Sequence, residues 1–155
     1  MTEIETSCDP QQCREIGERC AVLNLRKAAR LMTRLYEETM KPAGLLPTQF
    51  SLMVAIRAMD PVRMSQLAAV LAMDRTTLTR NLRPLERQGL VTTGPAAEDR
   101  RTREVRLTPE GQARLALALP LWRQAQTRVA ERLGEARLSR LLADLQAVAT
   151  TFLPE

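Results

Sequence analysis

Thr76, Thr77 and Arg80 stand in the stretch "MDRTTLTRNLRPLERQGLV", Met73 to Val91, on the side that Leu78, Leu82 and Leu85 avoid. Those leucines repeat at i, i+4 and i+7 behind Asp74, a good N-cap residue, so the stretch is expected to be a helix with one apolar face. Its N-terminal, polar edge would then carry a guanidinium and two hydroxyls. An arginine can grip guanine O6 and N7 in bidentate fashion, and a threonine can hydrogen-bond a base or pack its methyl on thymine. The plainer alternative is an exposed amphipathic helix with incidental arginines.

A second basic group follows in "EDRRTR", where Arg100 and Arg101 fall at the tip of an expected β-hairpin made of "LVTTG" and "REVRL" around "PAAEDRRT". An arginine on such an arm can enter a narrow, electronegative minor groove, and Asp99 could brace one guanidinium. A charged turn that keeps an edge strand soluble is the bland reading.

The elements that position these residues can be read outward from them. Ser65 is expected to cap a short helix, "QLAAVL", and "AMD" makes a tight turn into the helix at Asp74. Two short helices so joined form a helix-turn-helix pattern. Gly89 lies where a C′ glycine would close the second helix. Pro84 removes a backbone bond to Arg80, but it comes ten residues after the cap, so the turns ahead of it stay regular.

Upstream, residues from about Gln11 to Met40 read as one long helix, "KPAGLLP" breaks it, and Pro47 opens an apolar helix that ends at Asp60-Pro61. Downstream, Thr108-Pro109 is a cap followed by proline at the first helical position. Leu115, Leu119, Trp122, Val129 and Leu133 mark a long helix, Gly134 allows a bend, and Leu138 to Phe152 form a last amphipathic helix. The fold class expected is mainly α with a small β-hairpin wing. It is a winged helix-turn-helix whose N- and C-terminal helices form a dimerisation region. These flanking helices carry more apolar surface than so small a centre can cover, hence the expected second subunit.

The organisation expected is a flexible tail at 1–10, a helical dimerisation region at 11–46 and 108–155, and a DNA-binding lobe at 47–107. The chain has 155 residues and a net charge of +5, within the size of one domain. From Asp74 to Arg106, eight arginines face five acids, so most of the basic excess sits in the centre and points to a polyanion. No histidine is present, which removes the usual zinc ligands, histidine acid-base catalysis and triads. With no glycine-rich phosphate loop or CxxC either, an enzyme, a metal site and a cofactor are not expected. The acidic N-terminus lacks an apolar leader and no run is long enough to span a bilayer, so a cytoplasmic protein without membrane contact is expected.

"LAAVLAMDRTTLTRNLRPLERQGLV" followed by "EDRRTREVRLTPEG" resembles the MarR family of bacterial transcription regulators. Asp99, Arg101, Leu107 and Thr108 match the family's D-x-R-x5-L-T wing pattern, and "LYEETMKPAGLLPTQFSLM" extends the likeness, which covers roughly residues 20 to 150. The resemblance implies a homodimer with two winged lobes, bound to a palindromic double-stranded operator, usually repressing, and released by a small aromatic or lipophilic ligand or an oxidant. Carried over by position, it assigns base reading to Thr76, Thr77 and Arg80, minor-groove reading to Arg101 with Arg100 assisting, and phosphate proximity to Ser65 and Gln66. Ala72 departs from the glycine common at that turn, with modest strain expected.

By rough position the family's inducer pocket would involve Arg30, Thr33, Tyr36, Phe50 and Trp122, although large residues on apolar faces are more often ordinary core. An alternative signal is thiol oxidation or a metalloid at Cys8, Cys13 and Cys20, all within the first 20 residues. On one continuous helix Cys13 and Cys20 lie ~10.5 Å apart along the axis, beyond the ~7 Å Cα separation a disulfide tolerates. Sensing would then need Cys8 or another subunit. Buried cysteine as a small hydrophobe is the competing reading. A rival of another class is a winged-helix module that binds protein and not DNA.

Overall fold

A computed structural model describes residues 9–153, and the chain divides into two compact units between Leu35 and Tyr36. In the first unit, Asp9 caps helix α1 (Pro10–Arg19) by accepting from Gln11 N at 3.1 Å, with Pro10 at the first helical position. The helix expected to run unbroken from about Gln11 to Met40 is interrupted at Cys20, which is extended (φ −70°, ψ 112°), and resumes as α2 (Ala21–Met40). Asn24 explains the interruption. Its Nδ2 donates to the carbonyls of Gly17, Glu18 and Cys20 at 3.3, 3.1 and 2.9 Å; the first two are groups that backbone N–H would serve in a continuous helix, while Cys20 O also accepts from Asn24 N at 3.1 Å.

The second unit begins in the last turn of α2, where Thr39 and Met40 are buried. A 3-10 turn at Lys41–Ala43 ends on Gly44 in the left-handed region (φ 66°). Pro47 then opens α3 (Pro47–Met59), which buries Phe50, Leu52, Met53 and Ile56. A short strand β1 (Val62–Arg63) leads into α4 (Met64–Val70), and α5 (Arg75–Arg87) follows the turn. Strands β2 (Val91–Pro95) and β3 (Arg103–Leu107) form the expected hairpin, and β3 matches "REVRL" residue for residue. Helices α6 (Pro109–Leu133) and α7 (Glu135–Phe152) complete the chain, separated at Gly134 (φ 88°).

The sheet has three antiparallel strands in the order β1–β3–β2, with Val62 and Thr93 flanking Val105 and Val91 opposite Leu107. β1 is invisible in the sequence because two residues carry no alternation. It also moves a cap. Arg63 pairs with Glu104 in the sheet, so the chain turns into α4 at Met64 and Ser65 lies inside the first turn, contrary to its expected capping role. The N–H of Arg63 is taken by Gln66 Oε1 at 3.3 Å instead.

Leu67, Leu78, Leu82, Leu85, Leu90, Val62 and Val105 are fully buried or nearly so, and with Met53 and Ile56 they make one core beneath the helix-turn-helix and the sheet. Each such side chain contributes about 1.5–3 kcal/mol by burial, which fixes the polar edge of α5 outward. By contrast, α7 has no buried residue. Leu141, Leu142, Leu145, Val148 and Phe152 are exposed along it. In the first unit Ile16, Val22, Leu23, Leu25 and Leu31 are likewise exposed.

Candidate nucleic-acid interface

Helix α5 is held at both ends. At its start, Asp74 accepts from Thr77 N at 2.8 Å and from the Thr77 hydroxyl at 2.6 Å. Hydrogen bonds from Thr77, the side-chain one foremost, hold the Asp74 carboxyl below the ordinary carboxylate range. At its end, Gly89 takes φ 68° and donates to Glu86 O, while Leu90 N donates to Leu85 O. These two bonds form a Schellman motif and satisfy carbonyls the helix would otherwise leave open. Between these ends the helix runs through Pro84 without interruption.

The turn before α5 places Ala72 at φ 50°, the conformation glycine adopts freely and alanine does not. The departure from glycine at this position therefore corresponds to backbone strain. Met73 N donates to Ala68 O at 2.9 Å, closing the corner between α4 and α5.

Along the outward edge, Arg75, Thr76, Thr79, Arg80 and Arg83 line a shallow cleft of about 350 Å³. Thr76 and Arg80 are both exposed there. Thr77 lies elsewhere: half-buried, with its hydroxyl proton committed to Asp74. Thr79, Arg75 and Arg83 are additions to the edge expected from sequence. The i, i+4, i+8 spacing of 75, 79 and 83 is the signal that places them on it.

At the wing tip, Asp99 does not brace a guanidinium, as its position had suggested. Its Oδ1 accepts from Arg101 N at 2.9 Å and its Oδ2 from the Thr102 hydroxyl at 3.0 Å, so the carboxylate shapes the loop through backbone and hydroxyl donors. Ala96 N donating to Thr102 O at 2.8 Å closes the base of that loop. Both Arg100 and Arg101 are exposed.

A second cleft, about 420 Å³, lies between α4, the start of α5 and the wing, lined by Met64, Ser65, Ala68, Arg75, Arg101, Thr102 and Arg103. Ser65 and Arg101 thus share one cleft, Thr76 and Arg80 the other, and Arg75 belongs to both. Gln66, Thr77 and Arg100 line neither of them. Among the described residues the ion pairs are Arg57–Asp60, Arg106–Glu104 and Arg114–Glu110, so the guanidinia of Arg75, Arg80, Arg83, Arg100, Arg101 and Arg103 enter none. Cations left unpaired on one face suit a polyanion.

Of the residues expected near a small-molecule site, Phe50 and Trp122 come together. Their rings stack at 6.4 Å with 24° between planes, and with Ser51, Val54 and Leu119 they line an apolar cleft of about 290 Å³. Tyr36 is not among its lining residues. Its hydroxyl donates to Gln126 Oε1 at 2.6 Å, and burial raises its pKa. Arg30 and Thr33 belong to the first unit, Arg30 exposed and Thr33 half-buried.

Cys13 is disulfide-bonded, Cys20 at the α1–α2 break keeps a free thiol, and Cys8 lies outside the described residues. The expected separation of Cys13 and Cys20 requires an unbroken helix, and the helix breaks at Cys20; even so, the two are not joined to each other. Among the described residues no group of three or more His, Cys, Asp or Glu could hold a metal ion. No helix there is long and apolar enough to cross a membrane.

Two helices joined by a tight corner, a β-hairpin at their side and unpaired arginines across both define a winged-helix DNA-binding protein. The family model described as MarR family matches residues 43–102, from the end of the 3-10 turn to the wing tip. The M. tuberculosis transcriptional regulator MosR, solved in complex with DNA, is 40% identical over 87% of this chain and 100% of its own, with a TM-score of 0.74. A mutant MarR from E. coli complexed with operator DNA is 25% identical over 86% and 96% of the two chains, with a TM-score of 0.77. An uncharacterized HTH-type transcriptional regulator of Bacillus subtilis, YwoH, is 30% identical over 88 residues, 57% of this chain. The match spans 64% of that relative, just under two thirds of its length. The chain belongs to the MarR family: it is a DNA-binding transcription regulator and not an enzyme.

Proposed function

We propose that this regulator works in the cytoplasm as a homodimer on a palindromic operator, lowering transcription until a small aromatic or lipophilic ligand releases it. In this reading Thr76 and Arg80 meet base edges in the major groove, Arg101 enters the adjacent minor groove with Arg100 beside it, and Ser65 and Gln66 lie near phosphates. Thr77 acts mainly through the cap it shares with Asp74. Carrying the reading is the continuous edge of unpaired guanidinia on α5 and the wing, presented by a core that leaves that edge no alternative orientation. Pairing is supported by the exposed apolar rows of the terminal helices, and a ligand by the Phe50–Trp122 cleft.

Selection of bound fragments from random DNA, followed by a salt series on the selected duplex, tests it. A two-fold symmetric site with half-sites about one helical turn apart, bound by two chains and weakening steeply with salt, is expected. An asymmetric site bound by one chain would remove the dimer; equal affinity for selected and random duplexes would remove sequence reading.

A second reading of the signal has an observation of its own. Cys13 is disulfide-bonded while Cys20 keeps a free thiol, and this thiol chemistry supports sensing of an oxidant as the second reading. Replacing Cys8, Cys13 and Cys20 together by serine should then abolish release of DNA by peroxide or arsenite. A release unchanged by the triple substitution ends that reading.

A further inference from the structure

We infer that Arg75 and Arg103, with the hydroxyl of Ser65, form a clamp for the one sugar-phosphate strand that separates the two grooves this protein enters. The inference rests on the DNA-binding reading above and extends it to two arginines that have no assigned role there. A duplex's major and minor grooves are divided by a backbone strand. If α5 occupies one groove and the wing tip the next, the dividing strand has to pass between helix and wing. The space between them is the cleft of about 420 Å³. Its walls supply what a phosphodiester requires: guanidinia from both sides and the Ser65 hydroxyl, with Met64, Ala68 and Thr102, whose own hydroxyl is given to Asp99, among the lining residues.

Three features make the cleft suited to an anion. Arg75 and Arg103 both belong to this cleft and to the adjoining one of about 190 Å³, so they flank the whole passage from α5 on one side and β3 on the other. Neither forms an ion pair, although Arg106 on the same strand is paired with Glu104. Glu86 lines only the adjoining cleft, where its carboxylate accepts the Thr93 hydroxyl, so the larger cleft has no carboxylate among its lining residues. The two guanidinia come from elements that Leu82 and Val105 anchor in one core, which sets the gap between them before DNA arrives. An arginine that grips phosphate positions the protein without reading sequence.

The test uses the full chain, a duplex obtained by selection and a random-sequence duplex. Neutralising one phosphate fewer lowers the slope of log K against log salt by about 0.9. Arg75→Ala and Arg103→Ala should each lower it by about that amount, Arg75→Lys and Arg103→Lys should largely keep it, and the reduction should be equal on both duplexes. A methylphosphonate scan of the selected site should find one position, on the strand between helix and wing, where neutralising the phosphate weakens the wild type but not the double alanine variant. Circular dichroism and the unfolding midpoint check that the variants fold. A wild-type slope in a folded double variant overturns the clamp and leaves the regulator reading intact. Loss of preference for the selected duplex alone also overturns it, because the arginines would then read bases. If the wild type shows no salt-dependent duplex binding, the underlying reading falls first and the clamp with it.

Discussion

A β-carbon on Gly111 would stand 1.9 Å from the carbonyl oxygen of Leu90. The first turn of α6 therefore lies directly on the backbone that links the end of α5 to strand β2. Thr108 secures the junction: its N–H donates to that same Leu90 oxygen at 3.1 Å, its hydroxyl donates to Gly89 O, and its Oγ1 accepts from Gly111 N at 3.0 Å.

Gly111→Ala must push backbone from backbone, with no flexible side chain to give way. Overpacking of this kind costs about 1–3 kcal/mol. The urea unfolding midpoint should fall accordingly, and DNA affinity should fall with it as the end of α5 is displaced. An unchanged midpoint would show that α6 can shift without loss.

Thr108→Ala removes the α6 cap and the bond to Gly89 O together, a loss of about 1–2 kcal/mol. Thr108→Ser keeps both groups and should recover most of it. The comparison in urea unfolding separates the hydroxyl from the methyl.

Asp74 makes the stability of the helix-turn-helix depend on pH. Its carboxyl titrates lower in the folded protein than when unfolded, so its contribution is complete above the ordinary carboxylate range and disappears as pH falls through the folded value. Wild type should lose more stability on acidification than Asp74→Asn, which still offers an oxygen to Thr77 N but cannot ionise. Parallel pH profiles for the two proteins would contradict the cap.

Replacing Ala72 by glycine should stabilise the protein by up to about 1 kcal/mol, since alanine at φ 50° bears a steric penalty that outweighs glycine's extra unfolded-state freedom. A lower unfolding midpoint would mean that the alanine methyl contributes packing worth more than the strain.

Arg80→Ala and Thr76→Val should reduce preference for the selected duplex, Arg80→Ala by about 1–3 kcal/mol. Thr77→Val, which breaks the bond to Asp74, should chiefly lower stability. Binding measured on selected and scrambled duplexes distinguishes the two outcomes, and a specificity loss for Thr77→Val without a stability loss would reverse the assignment.

Much of this arrangement is legible in the sequence because it is local. The leucine repeat of α5, the glycine at its end, the Thr108-Pro109 start and the strand "REVRL" each carry their signal within a few residues, and the structure has all of them. What sequence does not reveal depends on partners distant along the chain or on side chains with two options. β1 exists through pairing with Arg103–Leu107, and that pairing moves the start of α4 away from Ser65. Asn24 could have pointed to solvent, yet it serves the end of α1 and breaks the helix there. Thr77 and Asp99 suit interaction with DNA or with a guanidinium by type, but hydrogen bonds to neighbours claim them first. Arg103 belongs to the alternation of β3, which becomes meaningful once helix and wing face each other across a cleft.

The corner at Gly89 and Leu90 leaves no spare chain between α5 and the wing: Val91 already begins β2, and Glu86 and Thr93 are tied across the bend. Helix and arm thus swing as one tool with a fixed jaw width. In the dimer proposed above, an effector would therefore act by changing where one such tool is held relative to the other, leaving the bite of each unaltered.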